Sequence, residues 1–334
     1  MSRLHHGGRL REAAREYGIP LEEWLDLSTG INPNGWPVPE LPASCWQRLP
    51  EQGDGLEQAA AIYYGSEYLL AVAGSQAAIQ LLPKLRKEGR VGLLQPSYAE
   101  HAAAWQRAGH EVVALTPQTI EQGISSLDVL LLVNPNNPTG EHFTREQLIA
   151  WQQQLHLRGG WLVVDEAFID VDPAWSMVSL TGEEGLLVLR SLGKFFGLAG
   201  ARVGFLFAWP LLLKQVAREL GPWHLSGPAR EVARLALLDT AWQAQTRDRL
   251  QRDGLRLDAL LRSMGLPPSG GTALFQYLTQ LEAPRLHRQL AEKGILTRLF
   301  DTPCALRLGL PGSDEAWQRL QQALQRLSTT REAS

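Results

Sequence analysis

The chain has 334 residues, and 44% of them are hydrophobic, which is enough for about two domains with a sizeable core. The formal net charge is -3, so the sequence gives no reason to expect a nucleic-acid partner. No apolar run is long enough to span a membrane and no signal peptide is recognisable, so a cytoplasmic protein is expected. The cysteines Cys45 and Cys304 lie far apart without metal-ligand spacing, which predicts free thiols and no metal site.

The first 55 residues predict an N-terminal arm and a linker. Residues 1–8 are polar, are expected to be flexible and contain His6-Gly7-Gly8, and a short helix over 9–17 is predicted to end at Gly18. A short strand over 24–28 runs into a turn at Gly30-Ile-Asn-Pro33. Residues 33–55 are rich in proline, glycine and tryptophan and have no clear period, which is typical of a linker.

From residue 56 to about residue 222, helical and strand patterns alternate. The pattern predicts helices over 56–64, 75–85, 99–108 and 145–157, and strands over 68–74, 91–94, 111–115, 127–133, 161–164, 186–189 and 203–207. Strands that alternate with helices indicate an α/β domain with a mainly parallel mixed sheet flanked by helices.

After residue 222 the pattern changes. A long helical stretch covers 229–261 with no strong helix breaker before Gly254, and short strands over 273–278, 295–298 and 305–309 and helices over 283–293 and 314–327 follow. This pattern predicts a smaller α+β domain. The expected division is an N-terminal arm over 1–45 that joins the small domain, a large cofactor-binding domain over 46–225 and a small C-terminal domain over 226–334.

The segment from Ser191 to Gly204 is the strongest candidate for chemistry. Lys194 follows an apolar strand, where a charged amine is costly to bury, and a lysine with a lowered pKa can form a Schiff base with a carbonyl. The hydroxyl of Ser191 and the guanidinium of Arg202 suit a phosphate. An aldehyde that carries a phosphate is pyridoxal 5′-phosphate (PLP). The alternative is a loop lysine beside a surface arginine.

Other strands of the same domain also end in polar residues. Gly74-Ser75-Gln76 precedes a helix, where glycine permits close backbone approach and the first N–H groups attract a phosphate; a serine N-cap is the alternative. Tyr98 follows another strand and can stack on a ring face or pack in the core. Because ligands of open α/β sheets bind at the carboxyl ends of strands, these residues are expected to converge.

Two further motifs follow buried strands. Asn134-Pro-Asn-Asn137-Pro-Thr-Gly140 predicts a tight turn that presents Asn137, whose amide suits the phenolate oxygen of PLP; an ordinary turn is the alternative. Asp165 in Asp165-Glu-Ala-Phe168 ends a buried strand and needs a partner, which a protonated pyridine nitrogen would supply. An N-cap or a structural ion pair is the alternative.

Three of these motifs together resemble, in order and spacing, the fold-type I PLP enzymes of the aspartate aminotransferase superfamily. They are Asn134 to Gly140, Asp165 to Phe168 and Ser191 to Gly204. The resemblance covers nearly the whole chain and implies a homodimer with active sites at its interface. It also implies a role for each candidate residue: Lys194 as the Schiff-base lysine, Asp165 on the pyridine nitrogen, Asn137 on the ring oxygen, Tyr98 on the ring face, and Ser75, Gln76, Ser191 and Arg202 on the phosphate.

Within the superfamily, the chain resembles the histidinol-phosphate aminotransferase branch and, more closely, the L-threonine-O-3-phosphate decarboxylases of cobalamin biosynthesis. The closer resemblance lies in residues 6–14, 27–33 and 165–170, where Phe168 replaces the tyrosine typical of the aminotransferases. It implies decarboxylation of the phosphorylated amino acid to (R)-1-amino-2-propanol O-phosphate. The substrate contacts that it implies are His6, Gly7, Gly30, Asn137, Arg298 and Arg307, with one arginine on the carboxylate and the other near the phosphate.

Two positions depart from the pattern of the branch. Leu49-Pro50 stands where a Tyr-Pro often places a hydroxyl on the cofactor phosphate of the neighbouring subunit, so that contact is missing. Gly30 stands where a polar side chain is often found, so only its backbone can contact the substrate.

The residues leave two alternatives open. An aminotransferase acting on histidinol phosphate or a related phosphorylated amine would use the same groups, because the bond that breaks depends on where Arg298, Arg307 and the N-terminal arm hold the two anionic groups. A non-enzymatic module, such as the effector-binding domain of a regulator, would keep the fold. The presence of Lys194, Asp165 and Arg202 favours an enzyme.

Overall fold

The strands and helices of the chain are described over residues 6–332 of a computed structural model, and the side chains over residues 6–327. The strands are β1 (Leu25–Asp26), β2 (Leu69–Val72), β3 (Arg90–Leu94), β4 (Glu111–Leu115), β5 (Val129–Val133), β6 (Trp161–Asp165), β7 (Leu186–Ser191), β8 (Gly204–Phe207), β9 (Gly270–Thr272), β10 (Phe275–Thr279), β11 (Ile295–Leu296), β12 (Arg298–Phe300) and β13 (Ala305–Gly309). The helices are α1 (Leu10–Tyr17), α2 (Ser44–Gln47), α3 (Leu56–Tyr64), α4 (Ser75–Leu81), α5 (Ala99–Arg107), α6 (Ile120–Gly123), α7 (Arg145–His156), α8 (Pro210–Leu220), α9 (Gly227–Leu238), α10 (Thr240–Ser263), α11 (Ala283–Ala291) and α12 (Asp314–Glu332).

The chain divides into two compact units. The large unit comprises residues 35–137 and 142–245, and the small unit comprises residues up to Asn34, residues 138–141 and residues from Thr246 onward. The division predicted from the sequence, into an arm over 1–45, a large domain over 46–225 and a small domain over 226–334, remains a prediction. Within the described residues, no helix combines the length and the apolar character needed to cross a membrane.

The large unit is built on a seven-stranded sheet of order β2-β8-β7-β6-β5-β3-β4. Neighbouring strands are parallel except β8, which runs antiparallel to both β2 and β7. The predicted mainly parallel mixed sheet is therefore confirmed. Because β3, β5, β6 and β7 are parallel, the segments that follow them all begin at the same edge of the sheet.

A hydrophobic core between this sheet and helices α4, α5 and α8 fixes the strand ends. Trp105 of α5 and Val216 of α8 are buried against strand residues that include Leu131 and Val163. Each Å² of apolar surface removed from water stabilises the fold by about 25 cal/mol. The polar residues at the strand ends therefore stand on a rigid support.

The small unit contains two sheets. Strands β12-β13-β10-β9 form an antiparallel sheet, and β1 pairs in parallel with β11, with Leu25 opposite Ile295. Trp24 packs with Ala291 and Leu296 in a separate apolar cluster. The pairing of β1 with β11 attaches the N-terminal segment to this unit.

The prediction of one long helical stretch over 229–261 is wrong at Asp239, where the chain leaves the helical conformation and separates α9 from α10. Helix α9 ends at Leu238, and Asp239 adopts a non-helical conformation with φ -84° and ψ 74°. Its Oδ1 accepts a hydrogen bond from the N–H of Trp242 at 3.0 Å, which caps α10. Gly254, the expected breaker, lies inside α10, where a Cβ would come within 2.9 Å of the Cα of Ala273.

Candidate active site

The predicted site residues lie in both compact units. The large unit holds the residues predicted to contact the cofactor, which are Gly74, Ser75, Gln76, Tyr98, Asn137, Asp165, Ser191, Lys194 and Arg202. The small unit holds the other residues predicted to contact the substrate, which are His6, Gly7, Gly30, Arg298 and Arg307.

Asp165 is the last residue of β6 and is only 3% exposed. Its Oδ2 lies 2.9 Å from Nε2 of His101, and its Oδ1 accepts a hydrogen bond from the N–H of Ala167 at 3.1 Å. With a proton on Nε2, the imidazole donates to the carboxylate and fixes its orientation. The structural-pair alternative for Asp165 is thus partly correct, because the carboxylate has a protein partner of its own.

His101 is a residue that the sequence analysis missed. It lies on α5 and is 1% exposed. It stands three residues after Tyr98, and the two ring centroids lie 5.9 Å apart in an edge-on arrangement. That spacing of about one helical turn from a predicted site residue was the available signal.

Lys194 lies in the segment that follows β7. The next two residues, Phe195 and Phe196, are fully buried, and the ring of Trp242 stacks on Phe196 with centroids 5.6 Å apart. The Nζ of Lys194 lies 5.4 Å from the ring centroid of Phe168, within the range of cation–π attraction. The apolar anchors fix the backbone, while the amine is partly buried beside an aromatic face.

Two glycines let Arg202 and the start of α4 pack closely. A Cβ on Gly74, which has φ 70° and ψ 157°, would lie 2.5 Å from Nη2 of Arg202. A Cβ on Gly204 would lie 2.5 Å from the backbone nitrogen of Ser75. Arg202 itself has a left-handed φ of 55°, which is uncommon outside glycine. The resulting cradle of a guanidinium and a helix start suits a phosphate.

The alternatives for these residues are settled in part by the same geometry. Ser75 is the first residue of α4, the N-cap is Gly74, and no side chain caps the helix, so the serine N-cap interpretation is wrong. Arg202 is exposed, as the surface-arginine alternative expected, and its Nη1 donates to the carbonyl of Ala199 at 3.1 Å. The Oγ of Ser191 accepts a hydrogen bond from the N–H of Gly193 at 3.2 Å.

Tyr98 and Gln76 are connected to each other. The hydroxyl of Tyr98 donates to Oε1 of Gln76 at 3.3 Å, and Nε2 of Gln76 donates to Oε2 of Glu100 at 2.9 Å. Burial, together with the charges of Glu100 and Asp165, raises the pKa of Tyr98 to about 12. The phenol is therefore protonated at neutral pH.

The turn after β5 is fixed by two of its asparagines. Asn134 accepts from the N–H of Phe143 at 2.9 Å and donates to the carbonyl of the same residue at 3.2 Å. Asn136 donates to the carbonyl of Pro96 at 2.9 Å and accepts from the hydroxyl of Ser97 at 2.8 Å. These bonds hold the backbone on which Asn137 stands.

The residues of the large unit fit PLP. The space that a Cβ of Gly74 would fill lies beside a guanidinium, as a phosphate requires. The carboxylate of Asp165 is buried and oriented, which suits a protonated pyridine nitrogen. The primary amine of Lys194, next to the buried Phe195 and Phe196, suits an aldehyde carbon.

In the small unit, two arginines lie side by side. Arg298 of β12 and Arg307 of β13 are cross-strand partners, and Nη2 of Arg307 donates to the carbonyl of Ser28 at 2.6 Å. Burial and the neighbouring charge of Arg298 lower the pKa of Arg307 to about 10, while Asp26 acts in the opposite direction. Burial and the charge of Arg9 likewise lower the pKa of Arg298. A buried and a half-buried cation on neighbouring strands favour an anionic ligand.

The N-terminal residues Gly7 and Gly8 pack on Ser28, whose carbonyl accepts the hydrogen bond from Arg307. The N–H of Gly8 donates to Oγ of Ser28 at 2.7 Å, and a Cβ on Gly7 would collide with the carbonyl of Ser28. Ser28 is held in turn by Oδ1 of Asp26, which accepts from its hydroxyl at 2.6 Å. Gly7 and Gly8 therefore have a defined place, whereas residues 1–5 of the predicted flexible tail lie outside the described residues.

A cavity of about 640 Å³ in the small unit brings several of these groups together. Its lining includes His6, Gly7, Ser28 and Arg298. Arg307 and Gly30 are not among its lining residues, although Arg307 contacts Ser28 directly. The structure thus assembles part of the predicted substrate set around one cavity and one loop.

Comparison with known proteins gives the family. The family model for aminotransferases of class I and II matches residues 49–327. The chain is 56% identical to a threonine-phosphate decarboxylase of Pseudomonas aeruginosa, over 96% of this chain and 97% of that protein, and 41% identical to one of a Sinorhizobium species, over 96% and 98%. A crystal structure of the histidinol-phosphate aminotransferase from Clostridium acetobutylicum has a TM-score of 0.82 at 21% identity, over 92% of this chain and 99% of that one, and shows the fold. The chain therefore belongs to the class I and II aminotransferase family.

Proposed function

We propose that the chain is a PLP-dependent carboxy-lyase that converts L-threonine O-3-phosphate to (R)-1-amino-2-propanol O-phosphate and CO₂. The observation that best supports this substrate is the 56% sequence identity to a threonine-phosphate decarboxylase over 96% of the chain. The residues of the large unit support the cofactor, and the paired arginines of the small unit support an anionic substrate. A role in cobalamin biosynthesis is part of this proposal.

The large unit provides the groups that hold the cofactor and tune its reactivity. When bound, PLP supplies a cationic ring that takes up the electron pair released as a bond to the substrate Cα breaks. Asp165, oriented by His101, stabilises the positive charge on the ring nitrogen. Lys194 provides the amine for covalent attachment and is the proposed donor of the proton that Cα receives after CO₂ leaves.

The small unit provides the groups that select the substrate. Phosphothreonine carries two anionic groups, and Arg298 and Arg307 present two guanidiniums on neighbouring strands. We assign one to the carboxylate and the other to the phosphate, without choosing between them. By holding both anionic groups, the arginines decide which bond to Cα is presented for cleavage. His6 and Gly7, which line the cavity beside Arg298, are assigned to the phosphate side.

We further propose a cytoplasmic homodimer. Exposed apolar side chains on and around α2 and α3 support self-association: Trp46 is 70% exposed, Leu49 62% and Ile62 71%. Leu49 stands where the related branch places a tyrosine, so the partner subunit would not add a phenol to the phosphate site. Cys45 and Cys304 are free thiols, which is consistent with a reducing compartment.

The test is incubation of the purified protein with PLP, L-threonine O-3-phosphate and added 2-oxoglutarate while CO₂ release and 2-oxoglutarate consumption are measured. The proposal predicts CO₂ release without consumption of 2-oxoglutarate. Consumption of 2-oxoglutarate without CO₂ would identify a phosphate-substrate aminotransferase instead. The control is Lys194→Ala, which should form no borohydride-reducible adduct with PLP, and a reducible adduct on that variant would refute the assignment of Lys194.

A further inference from the structure

A cluster of polar side chains in the large unit, all buried except the half-buried Tyr63, is not used by the proposed chemistry. Nη1 of Arg190 donates to Oε2 of Glu166 at 2.9 Å, and its Nη2 donates to Oδ1 of Asp170 at 2.6 Å. The hydroxyl of Ser176 donates to Glu166 at 2.5 Å, and the hydroxyl of Tyr63 donates to Asp170 at 2.9 Å. We call these five residues the Arg190 cluster. Arg190 is 2% exposed, and both carboxylates are completely buried.

The members of the Arg190 cluster are sequence neighbours of the cofactor residues. Glu166 follows Asp165, and Arg190 precedes Ser191. In the sheet, Asp165 is opposite Leu189, and the N–H of Glu166 donates to the carbonyl of Leu189 at 2.9 Å. Because successive side chains of a strand point to opposite faces, Glu166 and Arg190 meet on the face away from Asp165 and Ser191. The cluster therefore joins the ends of β6 and β7 on the sheet face opposite to the one that Asp165 and Ser191 occupy.

A third connection leads to the segment that carries Lys194. The ring of Tyr63 packs edge-on against Phe196, with centroids 5.5 Å apart, while its hydroxyl bonds Asp170. Phe196 stands two residues after Lys194 and is fully buried. A displacement within the cluster would thus reach Asp165, Ser191 and Lys194 through one or two residues each.

Stability alone does not explain such a cluster. Buried ion pairs lose hydration, and their replacement by apolar side chains of similar volume is often neutral or stabilising. Here two carboxylates face one guanidinium. Three further donors reach them: the hydroxyls of Tyr63 and Ser176, and the N–H of Met177, which donates to Glu166 at 2.7 Å. Burial raises the pKa of Glu166, whereas Arg190, the N–H of Met177 and the hydroxyl of Ser176 act in the opposite direction. Such an arrangement favours one geometry over others.

We propose that Arg190 is a positioning residue for the cofactor site, which sets the place of Asp165 relative to the Lys194 segment by holding the ends of β6 and β7 together. The inference rests on the proposed function in one respect, namely that the cofactor is PLP. It requires neither decarboxylation nor phosphothreonine. A positioning role predicts that the cluster affects how PLP is bound, in addition to how stable the chain is.

The test compares two arginines of the large unit. Arg190→Lys keeps one charge but cannot bridge two carboxylates. The matched control is Arg230→Lys, because Arg230 also binds two carboxylates, with Nε 2.5 Å from Oδ2 of Asp54 and Nη2 2.8 Å from Oε2 of Glu57, and its side chain is 8% exposed. For each variant we would measure the free energy of unfolding and the Kd for PLP on the apo form, and the pH profile of the visible absorbance of bound PLP on the loaded form.

We expect Arg190→Lys to raise the Kd for PLP about tenfold or more and to shift the pH profile of the absorbance, with Arg230→Lys changing neither, even where it lowers the free energy of unfolding. A natural Kd and pH profile in folded Arg190→Lys would overturn the inference. If that variant does not fold, Tyr63→Phe decides, because it removes only the hydroxyl and keeps the ring on Phe196. A shifted pH profile in Tyr63→Phe supports the positioning role, and an unchanged one overturns it. Failure of the proposed decarboxylation would leave these PLP measurements intact.

Discussion

The carboxylate of Asp165 and the imidazole of His101 lie 2.9 Å apart, and both side chains are almost completely buried. Asp165 ends a parallel strand, whereas His101 comes from a helix 64 residues earlier in the chain. The pair explains how a carboxylate can be kept in an apolar surrounding and still point in one direction. It also places the imidazole of His101, which can orient the carboxylate, next to Asp165, the residue assigned to the ring nitrogen of PLP.

The first prediction concerns this pair. His101→Phe keeps an aromatic ring but removes the donor, so it leaves Asp165 with a poorly satisfied oxygen, at a cost of about 1–3 kcal/mol. We expect lower stability in denaturant and a lower kcat, whereas His101→Gln, which restores an N–H donor, should recover part of both. A kcat for His101→Phe equal to that of the natural enzyme would show that the pair has no orienting role.

The second prediction concerns the charge of Asp165. Asp165→Asn should still bind PLP, but an amide cannot stabilise the cationic ring as a carboxylate does. We expect kcat to fall about 100-fold or more, each tenfold step being about 1.4 kcal/mol of barrier. Single-turnover kinetics with the PLP-loaded variant would measure this, and near-normal turnover would refute the assigned role.

Lys194, Asp165 and Arg202 could be proposed as site residues from the sequence, because each belongs to a short local motif. Lys194 and Asp165 lie at the ends of recognisable strands, and Arg202 stands shortly before another. The parallel sheet was predictable for the same reason, since it depends on the local period of apolar residues. His101 was not, because nothing local in the chain indicates that a helix residue will face a strand end 64 positions later. Asp239 was missed for a different reason: an aspartate inside a helical pattern is ambiguous until its side chain is seen to cap the next helix.

The third prediction concerns the cofactor phosphate. Leu49 removes the contact that a linker tyrosine would make, so Arg202 and the start of α4 should account for more of the phosphate affinity. A charge-assisted hydrogen bond contributes about 1.5–3 kcal/mol, so Arg202→Ala should raise the Kd for PLP about tenfold or more. Titration of the apo enzyme measures this. Arg218→Ala, at a side chain that is 77% exposed, is the matched control, and equal affinities in the two variants would contradict the assignment.

The fourth prediction concerns pH and Tyr98. Burial raises the pKa of Tyr98 to about 12, whereas the same phenol in the unfolded chain ionises near pH 10, a value of about 10 being usual for tyrosine. Between these two values the folded state keeps a proton that the unfolded state has released, so stability falls as the pH rises through this window. Tyr98→Phe should reduce that fall. Tyr68→Phe, at a residue that is 39% exposed, should leave that fall in stability unchanged. Identical stability profiles of the two variants would contradict the raised pKa of Tyr98.

The fifth prediction concerns the N-terminal residues. Gly8 donates to Ser28, whose carbonyl accepts from Arg307, so the N-terminal segment and the buried arginine share one loop. Consecutive glycines can present backbone N–H groups to a phosphate, and His6 can add a further donor. Of residues 1–8 the structure describes His6, Gly7 and Gly8, which belong to no strand or helix, so deletion of residues 1–8 should retain the fold and the affinity for PLP.

The deletion should therefore act on the substrate and spare the cofactor. We expect the KM for phosphothreonine to rise several-fold, about 1.4 kcal/mol being lost for each tenfold change, while the reactivity toward unphosphorylated threonine changes much less. Steady-state kinetics on both substrates separate the possible outcomes. Equal losses on the two substrates would show that the segment does not contact the phosphate. No loss on either would show that His6, Gly7 and Gly8 pack on Ser28 without contributing to substrate binding, and would leave Arg298 and Arg307 as the groups that hold both anions.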